Sequence, residues 1–599
     1  MRALLFHFVI AVVILSFTRP VDGQFFGPWV AAVANSASYA ESGQGGYGIA
    51  RGSLFVVFGQ NLGPGQLQQA QSFPLPPSLA GTSVEITMGG TSWNAIMIYT
   101  LWDQVAAILP SGVPAGSGTL TVTYDQVSSY PVPITVVDSA FGTYSATSNG
   151  IGAGIITRAN YQLASSANPV NSGDILIIWG TGLGPVDGDE AAGPLPGNQF
   201  PGTEVFVGNQ PATVQYAGRS GCCAALDQIV FQVPSSAPLG CFVPVAVRSG
   251  GVVSNFTTIP IGAPGKACSD RVGVPAGLIA KIEGGQAVTF GVVGIGPIPL
   301  LQSAGFSFLQ GLSEGLSRLL HVKVSQQDVK RLMAAHGSRR VRLLKALFRK
   351  YLRGSKAHKI DTDAVIRLAQ SFNDFGAAAG FTQLSGLNSV AAQFGSILPP
   401  AGACTIAKPW PFMSQQWGVT SRARDAGAQL VLSGPLGTRS LSEISNGEYQ
   451  AGLATGLAGT ELPAGAYTIS ATGGATVGPF TASLISGALQ WTNKDTIQVV
   501  DRSRPLTVTW AGTNPTGYVL FGGASSSGGD GTAFTCVEDA TKQTLTVPQF
   551  ILNAMPTATV DHGYLFLAMH PLQNPFSATG IDAGYFIDFS SDSKQLGYQ

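Results

Sequence analysis

The stretch "GSLFVVFGQNLGP" begins at Gly52, and "GDILIIWGTGLGP" begins at Gly173, 121 positions later. Each copy opens with five apolar residues, mostly β-branched or aromatic, from Leu54 to Phe58 and from Ile175 to Trp179. An unbroken run of that length, bounded by glycine, predicts a strand buried in a sandwich core. Gly59 and Gly180 end the runs, and "NLGP" and "GLGP" supply turn residues. The parallel continues downstream. "PLPPSLAGTSVEITMGG" matches "PLPGNQFPGTEVFVGNQ", aligning Gly81 with Gly202 and Val84 with Val205. "LWDQVAAILP" matches "ALDQIVFQVP", aligning Asp103 and Gln104 with Asp227 and Gln228, and Pro110 with Pro234. "VPAGSGTLTVTYD" matches "APLGCFVPVAVRS", aligning Pro114 with Pro238 at an offset of 124. A unit of about 100 residues with several short strands separated by turns is the pattern of an immunoglobulin-like sandwich.

The expected fold is therefore mainly β. Tandem immunoglobulin-like β-sandwiches span 24–137 and 138–262, and a C-terminal β-sandwich spans 411–599. In the C-terminal part, "AQLVLSG", "AYTISAT", "PLTVTWAG", "GYVLFGG" and "YLFLAMH" are β-prone segments broken by Gly-, Pro- and Ser-rich stretches. Between the sandwiches lies a connecting region, 263–410, with a basic helical insertion at about 311–375; strands before the insertion are open to joining the last sandwich. With 11% charged residues, 77 Gly and 37 Pro, the chain is too apolar for disorder and too rich in turns for a helical bundle.

The first residues read "MRALLFHFVIAVVILSFTRPVDGQFF". Arg2 precedes an apolar run from Leu4 to Phe17, short for a bilayer span. Small residues precede Gln24, so 1–23 reads as a secretory signal peptide, with a short membrane anchor as the competing reading. The mature chain is expected to carry no transmembrane segment and to be secreted or held at the cell surface.

Taken together, "ANSASY", "RGSLFVVFGQNLGP", "GDILIIWGTGLGPVDG", "SGCCAALDQIVFQVP", "GCFVPVAVRSGGVVSN" and "ACSD" resemble a known pattern. It is the paired IPT/TIG-type immunoglobulin-like repeat of uncharacterised secreted proteins of acidobacteria. "PAGACTI", "AGAQLVLSGP", "PAGAYTISATGG", "LQWTNKDTIQVVDRSRPLTVTW" and "GIDAGYFIDFSSDSKQLGYQ" extend the resemblance to the β-rich C-terminal region of those proteins. The resemblance implies export and β-domains, and it brings no activity and no catalytic residues.

Residues 318–359 depart in character. They hold 13 Lys and Arg against one acid, Asp328, while formal charge over the whole chain is zero. In "SRRVRLLKALFRKYLRG", Val341, Leu344, Phe348 and Tyr351 fall on one stripe of a helix begun by Ser338 and stopped at Gly354. Arg339, Arg342, Lys345, Arg349 and Lys350 lie opposite and are candidates to meet an anionic surface. A helix docked on its own protein with a solvated basic face explains the same pattern.

Six cysteines, Cys222, Cys223, Cys241, Cys268, Cys404 and Cys536, are disulfide candidates in an exported chain. Zinc competes poorly, since no CxxC pair occurs. Asp227 to Pro234 reads as a strand and "SSAPLG" as a return turn, so Cys222 or Cys223 is expected to bond Cys241. Cys268 would then take the other vicinal cysteine, and Cys404 would pair with Cys536.

Chemistry is hard to find. "GLSEG" at Gly311 has the GxSxG form but no strong apolar strand before it, and a chance match is expected in a glycine-rich chain. No HExxH, P-loop or dinucleotide fingerprint is present, so no cofactor is expected. Asp187, Asp189 and Glu190 in "VDGDEAAG" form a weak calcium candidate without EF-hand spacing, and otherwise a solvated turn. Trp93, Trp102 and Trp179 are either core or stacking surfaces for sugar rings. The expected function is an exported, non-enzymatic binding or adhesion protein with a polysaccharide or an anionic surface as partner and no specific nucleic acid. A glycan-active enzyme with paired carboxylates and a structural spacer are the alternatives.

Overall fold

The structure is a computed structural model. It describes residues 27–270, 274–297, 301, 375–386, 398–407, 420–454, 462–487, 489–512, 517–527 and 530–599. The expected signal peptide, the basic helix with its five candidate cations, and "GLSEG" lie outside the described residues.

The first sandwich is built from twelve strands. They are β1 (Trp29–Asn35), β2 (Ile49–Ala50), β3 (Leu54–Gln60), β4 (Gln68–Gln69), β5 (Ser78–Leu79), β6 (Thr82–Met88), β7 (Thr91–Asn94), β8 (Ile96–Thr100), β9 (Gln104–Ile108), β10 (Gly116–Tyr124), β11 (Val127–Ser128) and β12 (Val132–Val137). One sheet has the order β1-β3-β9-β8-β4 and the other β2-β12-β10-β6-β5. Phe55, Val57, Val84, Ile86 and Val122 meet between them, all at most 1% exposed. Each such side chain contributes about 1.5–3 kcal/mol through burial.

The second sandwich follows the same plan with β13 (Gly142–Thr143), β14 (Ile156–Arg158), β15 (Ile175–Thr181), β16 (Glu204–Val207), β17 (Gln210–Arg219), β18 (Asp227–Gln232), β19 (Gly240–Ser249), β20 (Val252–Val253) and β21 (Thr257–Ile261). β10 pairs with β6, β11 and β12, and β19 pairs with β16, β20 and β21. β2 lies parallel to β12, and the bridge from Val170 to Ile261 repeats that contact. The difference is one of continuity. β7 and β8 are separate strands, whereas β17 is unbroken and reaches both β16 and β18.

The repeated glycines sit at matched places. Gly59 lies opposite Val30 of β1, and Gly180 opposite Thr143 of β13. A Cβ on Gly59 would stand 2.0 Å from the Trp29 carbonyl oxygen, and one on Gly180 2.2 Å from that of Gly142. In both units the strand can turn only where the neighbouring backbone passes this close, which excludes a side chain.

Beyond these units, β22 (Val288–Pro297) and β23 (Phe375–Ser385) pair in antiparallel register with Pro297 opposite Phe375. The basic segment thus departs and returns at one end of a two-strand ladder. Both strands join the sheet that holds Gln429–Gly434, Glu448–Ala454, Gly465–Ala471 and Ala583–Asp588. The connecting region is therefore part of the C-terminal β structure. Apolar side chains there gather in several clusters, one around Phe381, Tyr449 and Phe586 and a second around Trp510, Phe521 and Phe534. The second cluster also takes in Ala246, Val253 and Phe256 of the second sandwich. Phe550 stacks on Phe206 with ring centroids 4.0 Å apart.

The cysteine pairing agrees with expectation at Cys404 and Cys536 and differs at the other four. Cys222 bonds Cys223, Cys241 bonds Cys268, and Cys404 bonds Cys536. The expected bond from Cys222 or Cys223 to Cys241 treated β18 and β19 as a hairpin. They are not neighbours: β18 lies between β15 and β17, while β19 lies between β16 and β21, so β17 and β16 separate them in the strand order. Cys241 therefore meets the segment that leaves the sandwich rather than the turn before β18.

Candidate binding groove at the junction of two sandwiches

The turn between β1 and β2 and the turn after β13 come together and enclose a groove of about 860 Å³. β1 forms one wall and lies at the edge of its sheet; Val132 to Thr135 of β12 form another. The second sandwich contributes Thr147, Ser148 and Asn149. The volume suits a small ligand or a short stretch of polymer.

Asn35 sets the shape of this region. It is buried, and its Oδ1 accepts from Ala37 N at 2.8 Å and Ser38 N at 3.0 Å. Its Nδ2 donates to the carbonyl oxygens of Ala140 at 2.9 Å and Thr181 at 3.3 Å, in the second sandwich. One side chain thus folds the turn after β1 and ties it to the neighbouring unit. The turn delivers Tyr39, held at a left-handed φ of 50°, beside Phe58 at 6.2 Å between ring centroids. Tyr47 completes the half-buried aromatic lining. Burial raises the pKa of Tyr39, which keeps the phenol neutral.

Polar groups converge on the same space. Asn149 Oδ1 accepts from Ile151 N at 3.2 Å and from Thr147 Oγ1 at 2.6 Å, which fixes this side chain at the groove wall, and its buried Nδ2 has no hydrogen-bond partner among the described residues. The lining contains one carboxylate, Glu41. Two-carboxylate glycoside hydrolysis needs a facing pair.

The junction itself is polar and closely tied. Arg219 and Asp227 form an ion pair, 2% and 0% exposed. Arg219 Nη2 donates to the Gly52 carbonyl oxygen in the first sandwich at 2.6 Å and to that of Gly184 at 3.0 Å. Burial raises the pKa of Asp227, and the guanidinium together with the Leu183 and Gly182 amides pulls it back. Thr181 Oγ1 accepts from Leu54 N at 2.9 Å and donates to Ala225 O at 2.8 Å. Arg51 donates to Ser111 O and pairs with Asp138 at 3.1 Å. With this many bonds satisfied, the two sandwiches are held in one arrangement, and so are the groove walls they share.

Other sequence-derived sites fall elsewhere. Glu190 receives Ser111 N at 2.8 Å and Ser111 Oγ at 2.9 Å, and Asp189 receives Ala191 N at 2.9 Å. Among the described residues no group of three or more metal-ligating side chains comes together. Trp93 packs on the first core, whereas Trp102 is 47% exposed. Trp179 donates to Thr157 Oγ1 at 2.9 Å and stacks with the exposed Tyr161. Tyr39, Tyr47 and Asn149 were missed by sequence reasoning. The Gly-rich "ESGQGGYG" before β2 was the available signal that an aromatic sits on a shaped turn.

No protein-family model matches the chain, and no curated protein does either. Among solved structures, domains 5–6 of the S-layer protein SbsC are similar over 40% of this chain and 99% of theirs, at 14% identity and a TM-score of 0.16. The plexin A4 extracellular region is similar over 39% of this chain, at 12% identity and a TM-score of 0.13, and the chain covers 18% of it. The SGBP-B protein of the Bacteroides ovatus mixed-linkage glucan utilization locus, in complex with a mixed-linkage heptasaccharide, is similar over 91% of this chain and 96% of its own, at 9% identity and a TM-score of 0.12.

Proposed function

We propose that this is an exported, non-catalytic binding or adhesion protein of the cell surface or extracellular matrix, and that the junction groove holds a short stretch of a polysaccharide. The observation that carries the reading is the lining: Tyr39, Tyr47 and Phe58 offer ring faces, Thr147, Ser148 and Asn149 offer polar groups, and Glu41 is the single carboxylate among the described lining residues. Ring faces stack on the apolar faces of sugars, and a few placed polar groups orient them. The absence of a second groove carboxylate favours binding over two-carboxylate hydrolysis. Three disulfides fit an oxidising compartment. We assign the paired units to the IPT/TIG type of secreted acidobacterial proteins, with 24–137 and 138–262 as their limits, on the sequence resemblance.

The mature protein screened against neutral and acidic polysaccharides tests this. Binding to a polysaccharide is expected, with a loss of tenfold or more in a Tyr39→Ala, Tyr47→Ala double variant, since each stacked ring is worth about 0.5–1.5 kcal/mol or more. Binding that survives the double variant unchanged places the ligand elsewhere. Release of shortened sugars during incubation would favour the enzyme.

A further inference from the structure

The three disulfides differ in exposure. Cys241 and Cys268 are 5% and 1% exposed, and Cys404 and Cys536 are 2% and 0%. Cys222 and Cys223 are exposed. Their bond joins neighbours in sequence and closes a small ring on the turn between β17 and β18.

That turn is anchored at the junction on both sides. Arg219 ends β17 and Asp227 begins β18, and they form the buried ion pair. Arg219 reaches Gly52 of the first sandwich. Within the turn, Ala225 is held at a left-handed φ of 54°, and its carbonyl accepts from Thr181 Oγ1 at 2.8 Å. The same hydroxyl oxygen accepts from Leu54 N of the first sandwich at 2.9 Å. Ser220 Oγ accepts from Cys222 N at 3.2 Å, and Cys223 O accepts from Leu226 N at a long 3.4 Å. Ser220 N also donates to Leu226 O at 2.8 Å, so this backbone bond closes the base of the turn and the ring constrains its tip.

We propose that Cys222–Cys223 is a thiol–disulfide exchange site for small dithiols, and that opening it loosens the junction between the first two sandwiches. A thiolate of the dithiol attacks one sulfur, the protein S–S bond breaks, and the other cysteine leaves as a thiolate that takes up a proton. The second thiol of the reductant then displaces the mixed disulfide. Two electrons and two protons pass to the protein, and the reductant leaves as its cyclic disulfide. Attack needs access to the sulfur, which this bond offers and the two buried bonds withhold. Opening the ring frees the Cys222–Cys223 peptide two residues before Ala225, whose left-handed conformation an alanine seldom adopts, so the turn has more freedom to relax there. The Ala225–Thr181–Leu54 chain and the Arg219–Gly52 clamp then share a less constrained support.

The test uses the full mature chain with limiting dithiothreitol, followed by alkylation and peptide mapping. Cys222 and Cys223 are expected to be alkylated first, with the other four protected. Hydrogen exchange of the reduced protein is expected to rise about tenfold at Gly52 to Leu54 and Thr181 to Leu183, as when one ordinary hydrogen bond weakens, and to return on reoxidation. A Cys222→Ser, Cys223→Ser variant should exchange like the reduced protein and ignore the dithiol. Prior reduction of either buried bond overturns the proposal, and so does unchanged junction exchange once both exposed cysteines are alkylated. Should the variant fail to fold, the reduction and reoxidation cycle on the natural sequence decides.

Discussion

The repeat supplies its own matched pair for testing what holds the two sandwiches together. Gly52 and Gly173 are equivalent in sequence, and both have left-handed backbones, with φ of 73° and 90°. A Cβ on Gly173 would meet nothing within 4 Å. A Cβ on Gly52 would stand 2.6 Å from Arg219 Nη2 and 2.7 Å from Ser111 Oγ. Gly173→Ala should therefore cost only the left-handed backbone term, about 1–2 kcal/mol. Gly52→Ala should cost that and also push the guanidinium off the Gly52 carbonyl. A hydrogen bond to a charged group is worth about 1.5–3 kcal/mol, so the total is about 3–5 kcal/mol. The assay is native-state hydrogen exchange on the full chain, which reads opening free energies unit by unit where a single unfolding midpoint does not. The Gly173 variant should lose protection in β15 alone. The Gly52 variant should lose more, in β3 and across the junction at Leu183 and Asp227. Equal losses in the two variants would refute the role given to Arg219.

Further outcomes follow from the same structure. Burial raises the Asp270 carboxyl to about 6, although Cys241 N donates to it. The fold therefore favours the protonated acid: its stabilising effect is full below about pH 4 and is lost as pH rises toward 6, so urea resistance should fall across that window, and Asp270→Asn should flatten the fall. Replacing Cys404 and Cys536 by Ala removes a link across 132 positions and should cost about 2–5 kcal/mol, read as a lower urea midpoint of the C-terminal part. Phe550→Ala removes the ring stacked on Phe206 and packed near Phe256, and about 3–5 kcal/mol of destabilisation should appear as faster exchange in β16 and β20.

Much of the two-sandwich architecture was legible because the repeat carries it. Aligning Asp103 and Gln104 with Asp227 and Gln228 already placed β9 and β18 in equivalent positions, and Gly59 and Gly180 marked where a neighbouring backbone passes. Pairing between sheets was not legible. Consecutive strands look like hairpins in a linear reading, yet β17 and β16 lie between β18 and β19, and this misdirected Cys241. The groove was hidden for a related reason. Tyr39 and Tyr47 lie on one turn and Asn149 on another, and those turns are brought together by Asn35, which reaches Ala140 and Thr181, and by the Ser36–Tyr144 hydrogen bond. The connecting region was obscured by a different feature. β22 and β23 are buried runs without alternation, separated by the basic segment, so neither periodicity nor proximity linked them.

The proposed polysaccharide site is the groove shared by the first two sandwiches. The most direct measurement is a hydrogen-exchange footprint of the protein with and without an oligosaccharide cut from a polysaccharide selected in the binding screen. Protection is predicted at β1, at the turn carrying Tyr39 and Tyr47, at Val132 to Thr135 and at Thr147 to Asn149, on both sides of one junction. Protection confined to the Tyr161 and Trp179 face, or to the C-terminal sheets, would contradict it.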